Sequence, residues 1–187
     1  MSEIRIALPA WVSAAVPLGR PCPTPEERMD AAIALARENV RRASGGPFGA
    51  VVFDLESGRA VAAGVNLVEQ SGNALLHAEA VALMFAQQAV GRYSLHADDL
   101  PPYALVTSCD PCAMCLGATL WSGVRDLECG ALRDDARRIG FDEGPVFPAS
   151  WEYLEARGVR VRRGIRRAAA AAVLEDYRRG GGIIYNG

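Results

Sequence analysis

The sequence contains no lysine; all 20 basic side chains among its 187 residues are arginines. That excludes a Schiff-base lysine for pyridoxal phosphate, the lysine of a phosphate-binding P-loop and a Ser-Lys nucleophile pair. Histidine is nearly as scarce. Only His77 and His96 are present, so imidazole chemistry falls to one of two residues. No uninterrupted apolar stretch reaches the ~18 residues that a transmembrane helix needs. Net charge is small as well, −2 at pH 7, which gives no overall pull toward nucleic acid or an anionic membrane.

Cysteine is present in a telling pattern. Of Cys22, Cys109, Cys112, Cys115 and Cys129, three are bunched and the total is odd. This is a poor disulfide framework and a better fit to metal or thiol chemistry in a reducing compartment, so a cytoplasmic location is expected. A hydrophobic content of 50% over this length suffices for one well-buried domain. The uncharged run over residues 6–19 superficially resembles a signal peptide. Glu3 and Arg5 give its head no positive excess, however, and Pro9 and Pro17 interrupt it. The division expected is an apolar arm over residues 1–23, lying on the domain or on a second subunit, and a domain over residues 24–187.

Thr24-Pro25-Glu26-Glu27 reads as a capping box with proline at the first helical position, and Met29, Ile33, Ala36 and Val40 follow at helical spacing. A helix is expected over 25–43, then a hairpin with strands at 48–54 and 60–67 and a polar loop at 69–73. The segment from His77 reads as a helix and 104–109 as a buried strand. Asp110-Pro111 would then cap and open another helix. Strands at 126–132 and 159–162 and a helix at 165–179 complete the pattern. Strands separated by helices indicate a layered α/β domain.

A helix opening after a buried strand puts Cys112 and Cys115 on one face of its first turn, where the helix dipole favours thiolate over thiol. Two thiolates are half of a tetrahedral zinc site, and catalytic zinc is known with two cysteines plus one histidine. His77 opens a segment that reads as a helix and has Glu79 two residues on, a candidate to take a proton from a metal-activated water. Buried apolar cysteines or a redox pair are the alternatives, although a redox pair needs no His77. From spacing alone Cys109 also remains a possible ligand. His96, in a polar loop, reads as a surface residue, and Cys22 and Cys129 carry no expected role.

His77-x-Glu79 followed by Pro111-Cys112-x-x-Cys115 resembles the H-x-E…P-C-x-x-C signature of the cytidine-deaminase-like zinc deaminases. The resemblance implies a three-layer α/β/α fold with a central mixed sheet of about five strands, and one Zn2+ per chain held by His77, Cys112 and Cys115, leaving Cys109 at a strand end. Within that superfamily the sequence is similar to bacterial guanine deaminases. The matching stretches are Gly46-Pro47-Phe48-Gly49-Ala50, Asn66, residues 107–123 around the cysteines, Gly140-Phe141-Asp142-Glu143-Gly144, and a tail with Tyr185 and Asn186 that resembles a segment covering the active site. It departs from them at residues 71–79, where many relatives carry Asp-Pro-Thr-Ala before His-Ala-Glu. The implied reaction is hydrolysis of guanine to xanthine and ammonia.

Under that reading Glu79 and Glu143 are the candidate catalytic carboxylates. Asn66, Phe48, Trp121 and Tyr185 are the candidate substrate contacts, with Asn66 and Glu143 matching guanine's acceptor and donors. The expected partner is a small aminated base, and a homodimer is expected, with neither membrane nor nucleic acid engaged. Other aminated rings (guanosine, cytosine, adenine, an amino-triazine) are alternative substrates. An RNA-acting deaminase is a further alternative, resting on Arg157, Arg160, Arg162, Arg163, Arg166, Arg167, Arg178 and Arg179. A non-catalytic zinc module would need a fourth protein ligand, which only Cys109 offers.

Overall fold

A computed structural model describes residues 4–16 and 19–186; Glu3, Pro17 and Gly187 lie outside the described residues. Among those described, the order is α1 (Val12–Ala15), α2 (Pro25–Arg41), β1 (Gly49–Asp54), β2 (Ala60–Val65), α3 (Val68–Ser71), α4 (Ala78–Val90), β3 (Tyr103–Cys109), α5 (Ala113–Ser122), β4 (Asp126–Ala131), α6 (Arg133–Arg138), α7 (Pro148–Ala156), β5 (Arg160–Arg162) and α8 (Arg167–Arg179). The sheet order is β2-β1-β3-β4-β5. Strand β1 runs antiparallel to both β2 and β3, whereas β3, β4 and β5 run parallel. The sheet is therefore mixed.

Period-two alternation divides the core into two layers. Val51, Phe53 and Val106 face Met29 and Leu35 of α2 and Val173 and Leu174 of α8. Val52, Leu105 and Leu127 face Ala82 and Leu83 of α4, Leu116 of α5 and Leu154 of α7. The result is the expected α/β/α sandwich. Val12 and Val16 of the arm join the first layer, and no helix of the described residues is long and apolar enough to cross a membrane.

Thr24 forms the capping box, its hydroxyl accepting from the Glu27 amide at 3.2 Å while its own amide donates to the Glu27 carboxylate at 3.1 Å. Helix α4 lies directly on β2, because a Cβ on Gly64 would overlap the Ala78 carbonyl oxygen. That contact fixes the first turn of α4 against the sheet.

Several expectations need correction. The segment after β2 contains the short helix α3 rather than a loop throughout, and α6 and α7 were not anticipated. Helix α5 begins at Ala113 with Cys112 as its N-cap, not at Pro111 with Asp110 as cap. Asp110 cannot cap it, because its buried carboxylate accepts from the Arg133 amide at 3.0 Å and from the Arg163 guanidinium.

The arginine-rich end is largely neutralised in place. Arg160 and Arg162 bind the fully buried Asp126, and Arg162 also binds Glu128, which pairs with buried Arg28 at 2.6 Å. Arg163 pairs with Asp110, Arg166 with Asp30, Arg167 with Asp135, and both Arg178 and Arg179 with Glu175. Arg157 lies over the Tyr153 ring.

Candidate active site

Strand β3 delivers the chain to the site, and two helices then aim their N-termini at it. Cys112 is the N-cap of α5 and Cys115 lies in its first turn; His77 is the N-cap of α4 and Glu79 its second residue. As an N-cap His77 has extended rather than helical dihedrals, so its side chain is not bound to the angular offset that separates residues two apart on an ideal helix. Ligand atoms of His77, Cys112 and Cys115 lie within 4.8 Å of one another. Cys109 is not in this group; its sulfur approaches the Leu132 carbonyl at 3.9 Å.

The donor set fits zinc. His77 Nδ1 and Cys112 Sγ are 3.5 Å apart, close to the ~3.5 Å edge of a tetrahedron built on Zn–N and Zn–S bonds of about 2.05 and 2.3 Å. Cys112 is pulled down to about 4 by the hydrogen bond from Cys115, against its burial, with His77 assisting. The same contact and burial push the Cys115 thiol up. Burial works against a proton on His77, but Cys112 and Glu79 outweigh it and its pKa rises. The contact between the two cysteines thus favours thiolate on Cys112, and a cation would draw the proton from Cys115.

Glu79 is only 6% exposed, and burial, then the Cys112 charge, pushes its carboxyl up to about 7. A carboxyl poised there exchanges protons readily at neutral pH. Glu143, 5% exposed, is pushed up to about 8, mainly by burial, with Cys112 and Glu79 adding to the shift. Its loop is held from two sides. The Ala113 amide of α5 donates to the Glu143 carbonyl at 2.9 Å, and the Arg133 guanidinium donates to the Gly144 and Val146 carbonyls at 2.7 and 2.6 Å.

Asn66 is fully buried. Its Oδ1 accepts from the Val68 amide at 3.2 Å, while Nδ2 has no partner among the described residues. Asn39 of α2 fixes its backbone, donating through Nδ2 to the Asn66 and Gly46 carbonyls at 2.9 and 2.8 Å. Phe48, Phe141 and Tyr185 form an aromatic chain, with centroids 5.1 Å apart for Phe48 and Phe141 and 5.0 Å for Phe141 and Tyr185. Tyr185 lies edge-on to His77 at 6.3 Å. Trp121 is not brought to the cluster; it is 74% exposed near the far end of α5. Asn39, Arg133 and Asp110 were not foreseen as residues shaping the site. The one sequence signal for Asn39 is a polar residue beside the apolar stripe of α2.

A mixed-sheet sandwich with a His/Cys/Cys cluster and an adjacent buried glutamate defines a zinc-dependent hydrolytic deaminase. The chain belongs to the cytidine and deoxycytidylate deaminase zinc-binding family, whose model matches residues 23–131. Among solved structures it is similar to a guanine deaminase from Nitrosomonas europaea, at 44% identity and a TM-score of 0.90 over 95% of this chain and 97% of that one. NE0047 in complex with 2,6-diaminopurine is 46% identical, with a TM-score of 0.91 over 97% of this chain and 96% of its own. Guanine deaminase of Bacillus subtilis is 38% identical over 134 residues, 72% of this chain and 81% of that protein.

Proposed function

We propose that this protein hydrolyses guanine to xanthine and ammonia. The observation that carries the reading is its likeness to the Nitrosomonas europaea guanine deaminase along nearly the whole of both chains. The chemistry of the pocket supports it. The free Asn66 amide nitrogen is a donor suited to guanine's carbonyl oxygen, and the Glu143 carboxyl group offers an acceptor oxygen suited to its ring N–H and amino group.

His77, Cys112 and Cys115 would hold the zinc, which when bound would supply a Lewis acid that lowers the pKa of water toward neutrality. Glu79 would accept a proton from the attacking water and pass it to the ring nitrogen as the C–O bond forms at the amine-bearing carbon. It would then take the second proton from the newly added hydroxyl and hand it to the amine, so that the C–N bond breaks, ammonia leaves and the hydroxyl oxygen becomes the new carbonyl. We read Phe48 and Tyr185 as the contacts for the flat ring, a reading supported by their aromatic chain through Phe141 to the edge of His77, and burial of Glu79 and Glu143 keeps bulk water from competing for the proton.

We place the protein in the cytoplasm, a reading supported by five free, buried cysteines. We also read it as a homodimer, with the exposed Trp121, Tyr153 and Met84 supplying apolar surface to cover. Sedimentation velocity checks the dimer, and a monomer at micromolar concentration would refute it.

The reading is tested by ammonia release from the zinc-loaded protein offered guanine, guanosine, cytosine, adenine and an amino-triazine. Turnover of guanine without guanosine supports it. Consumption of another amine with guanine untouched would transfer the same chemistry to a different ring.

A further inference from the structure

The reacting groups are roofed. Glu79, Glu143 and Asn66 are almost inaccessible, and Tyr185 of the C-terminal tail stands between Phe141 and His77, beside Glu79. Covered carboxylates meet a substrate only when part of the cover moves. The tail is the part built for it, leaving α8 through Gly180, Gly181 and Gly182 and docking through few bonds. The Tyr177 hydroxyl donates to the Ile183 carbonyl at 2.8 Å, the Asp142 amide to the Asn186 carbonyl at 3.0 Å, and Asn186 Nδ2 to the Asp142 carbonyl at 2.8 Å.

We propose that Gly46 is a positioning residue for this closure, its bare α-carbon forming the notch in which the Tyr185 ring seats. A Cβ there would stand 2.6 Å from the Tyr185 hydroxyl oxygen and 2.9 Å from Cε1, closer than real Cβ contacts come, and 3.1 Å from Cζ, tighter than most. Gly46 is the fixed partner of the two. Its carbonyl accepts from Asn39 Nδ2 at 2.8 Å and from the Phe48 amide at 2.9 Å, and Asn39 also grips the Asn66 carbonyl. A side chain at 46 must therefore displace Tyr185 rather than its own loop. With Tyr185 displaced, the wall that the closed tail presents beside His77 is lost, and binding of the ring suffers more than chemistry on it.

The inference rests on the base-deaminase reading only in taking the substrate to be a small aminated ring. The test is a double-mutant cycle of Gly46→Ala and Tyr185→Ala in the zinc-loaded protein. KM and kcat are measured on guanine, or on whichever ring the wild type consumes, and amide hydrogen exchange is measured over residues 180–186. Gly46→Ala is expected to raise KM by about tenfold with kcat changed by less than about threefold, and to speed exchange across the tail while α4 stays protected. In the Tyr185→Ala background the same change should alter KM by less than about twofold. Equal effects of Gly46→Ala in both backgrounds, or an unchanged KM and tail in the single variant, would overturn the proposal. If Gly46→Ala alone does not fold, rescue by Tyr185→Ala supports the pairing. Failure of the double variant as well locates the strain in the Asn39–Asn66 loop and overturns it. A wild type inert toward guanine but active on another ring sinks the proposed substrate and leaves this cycle readable.

Discussion

His77 and Cys112 occupy the same position on two different helices, each being the last extended residue before the first turn. Both side chains are thus presented from a helix N-terminus, where unpaired amides and the dipole favour negative charge. Helix α4 places Glu79 in its first turn and α5 places Cys115. One local geometry, used twice, supplies three ligands and the carboxylate beside them.

Glu79→Gln keeps size and hydrogen bonding but cannot carry the proton. Zinc content by atomic absorption should match the wild type while kcat falls by about 10² to 10⁴. Activity within a few-fold of wild type would remove Glu79 from the proton path.

Removing the metal should both abolish turnover and loosen the fold, because zinc held by the folded ligands stabilises by mass action, about 4 kcal/mol when free zinc is about a thousandfold above its Kd. Thermal melts with and without a chelator read this directly. Cys115→Ser should melt at the same temperature in either condition.

The pH dependence of stability isolates Glu143. Burial, helped by Cys112 and Glu79 and opposed by His77 and Arg133, raises its folded pKa to about 8 from 4.5. Between those values the unfolded chain has lost a proton that the folded chain retains, so this group's contribution to stability falls as pH rises from 4.5 through about 8. Metal-free Glu143→Gln should therefore gain in Tm over metal-free wild type across that interval and differ little below it. Cys112, lowered to about 4, titrates with the opposite sign but is common to both proteins. A Tm gap independent of pH would contradict the burial argument.

Seven of the eight C-terminal arginines are paired with carboxylates, leaving little charge to release counterions from a phosphate backbone. A tRNA gel shift should show no salt-sensitive retardation at micromolar protein. A shift that weakens steeply with salt would revive the RNA-acting reading.

What the sequence disclosed follows the range of each signal. Capping boxes and apolar alternation are local, so α2, the β1–β2 hairpin and β3 stand close to their expected bounds. Helix α6, all but one of its residues charged, carries no apolar period to read. The Cys112–Cys115 pair was legible from its short spacing, while the choice of His77 and the exclusion of Cys109 came from resemblance to the H-x-E…P-C-x-x-C signature. Asn39 and Arg133 were not, since they act on backbone carbonyls that only the fold brings near. Trp121 was misplaced for a geometric reason: six residues beyond Cys115 is about 9 Å along the helix and off its face.

Strand β3 is where the sheet changes sense, with β1 antiparallel on one side and β4 parallel on the other. The start of β1 and the ends of β3 and β4 consequently open onto one rim; the segments bearing Asn66 and Cys112 leave from it, and the Glu143 loop returns to it after α6 through the Ala113 amide. Selection acting on those loops can recut which ring is accepted while the two apolar layers beneath stay as they are. A scaffold divided this way can exchange substrates over evolutionary time without having to be refolded for each one.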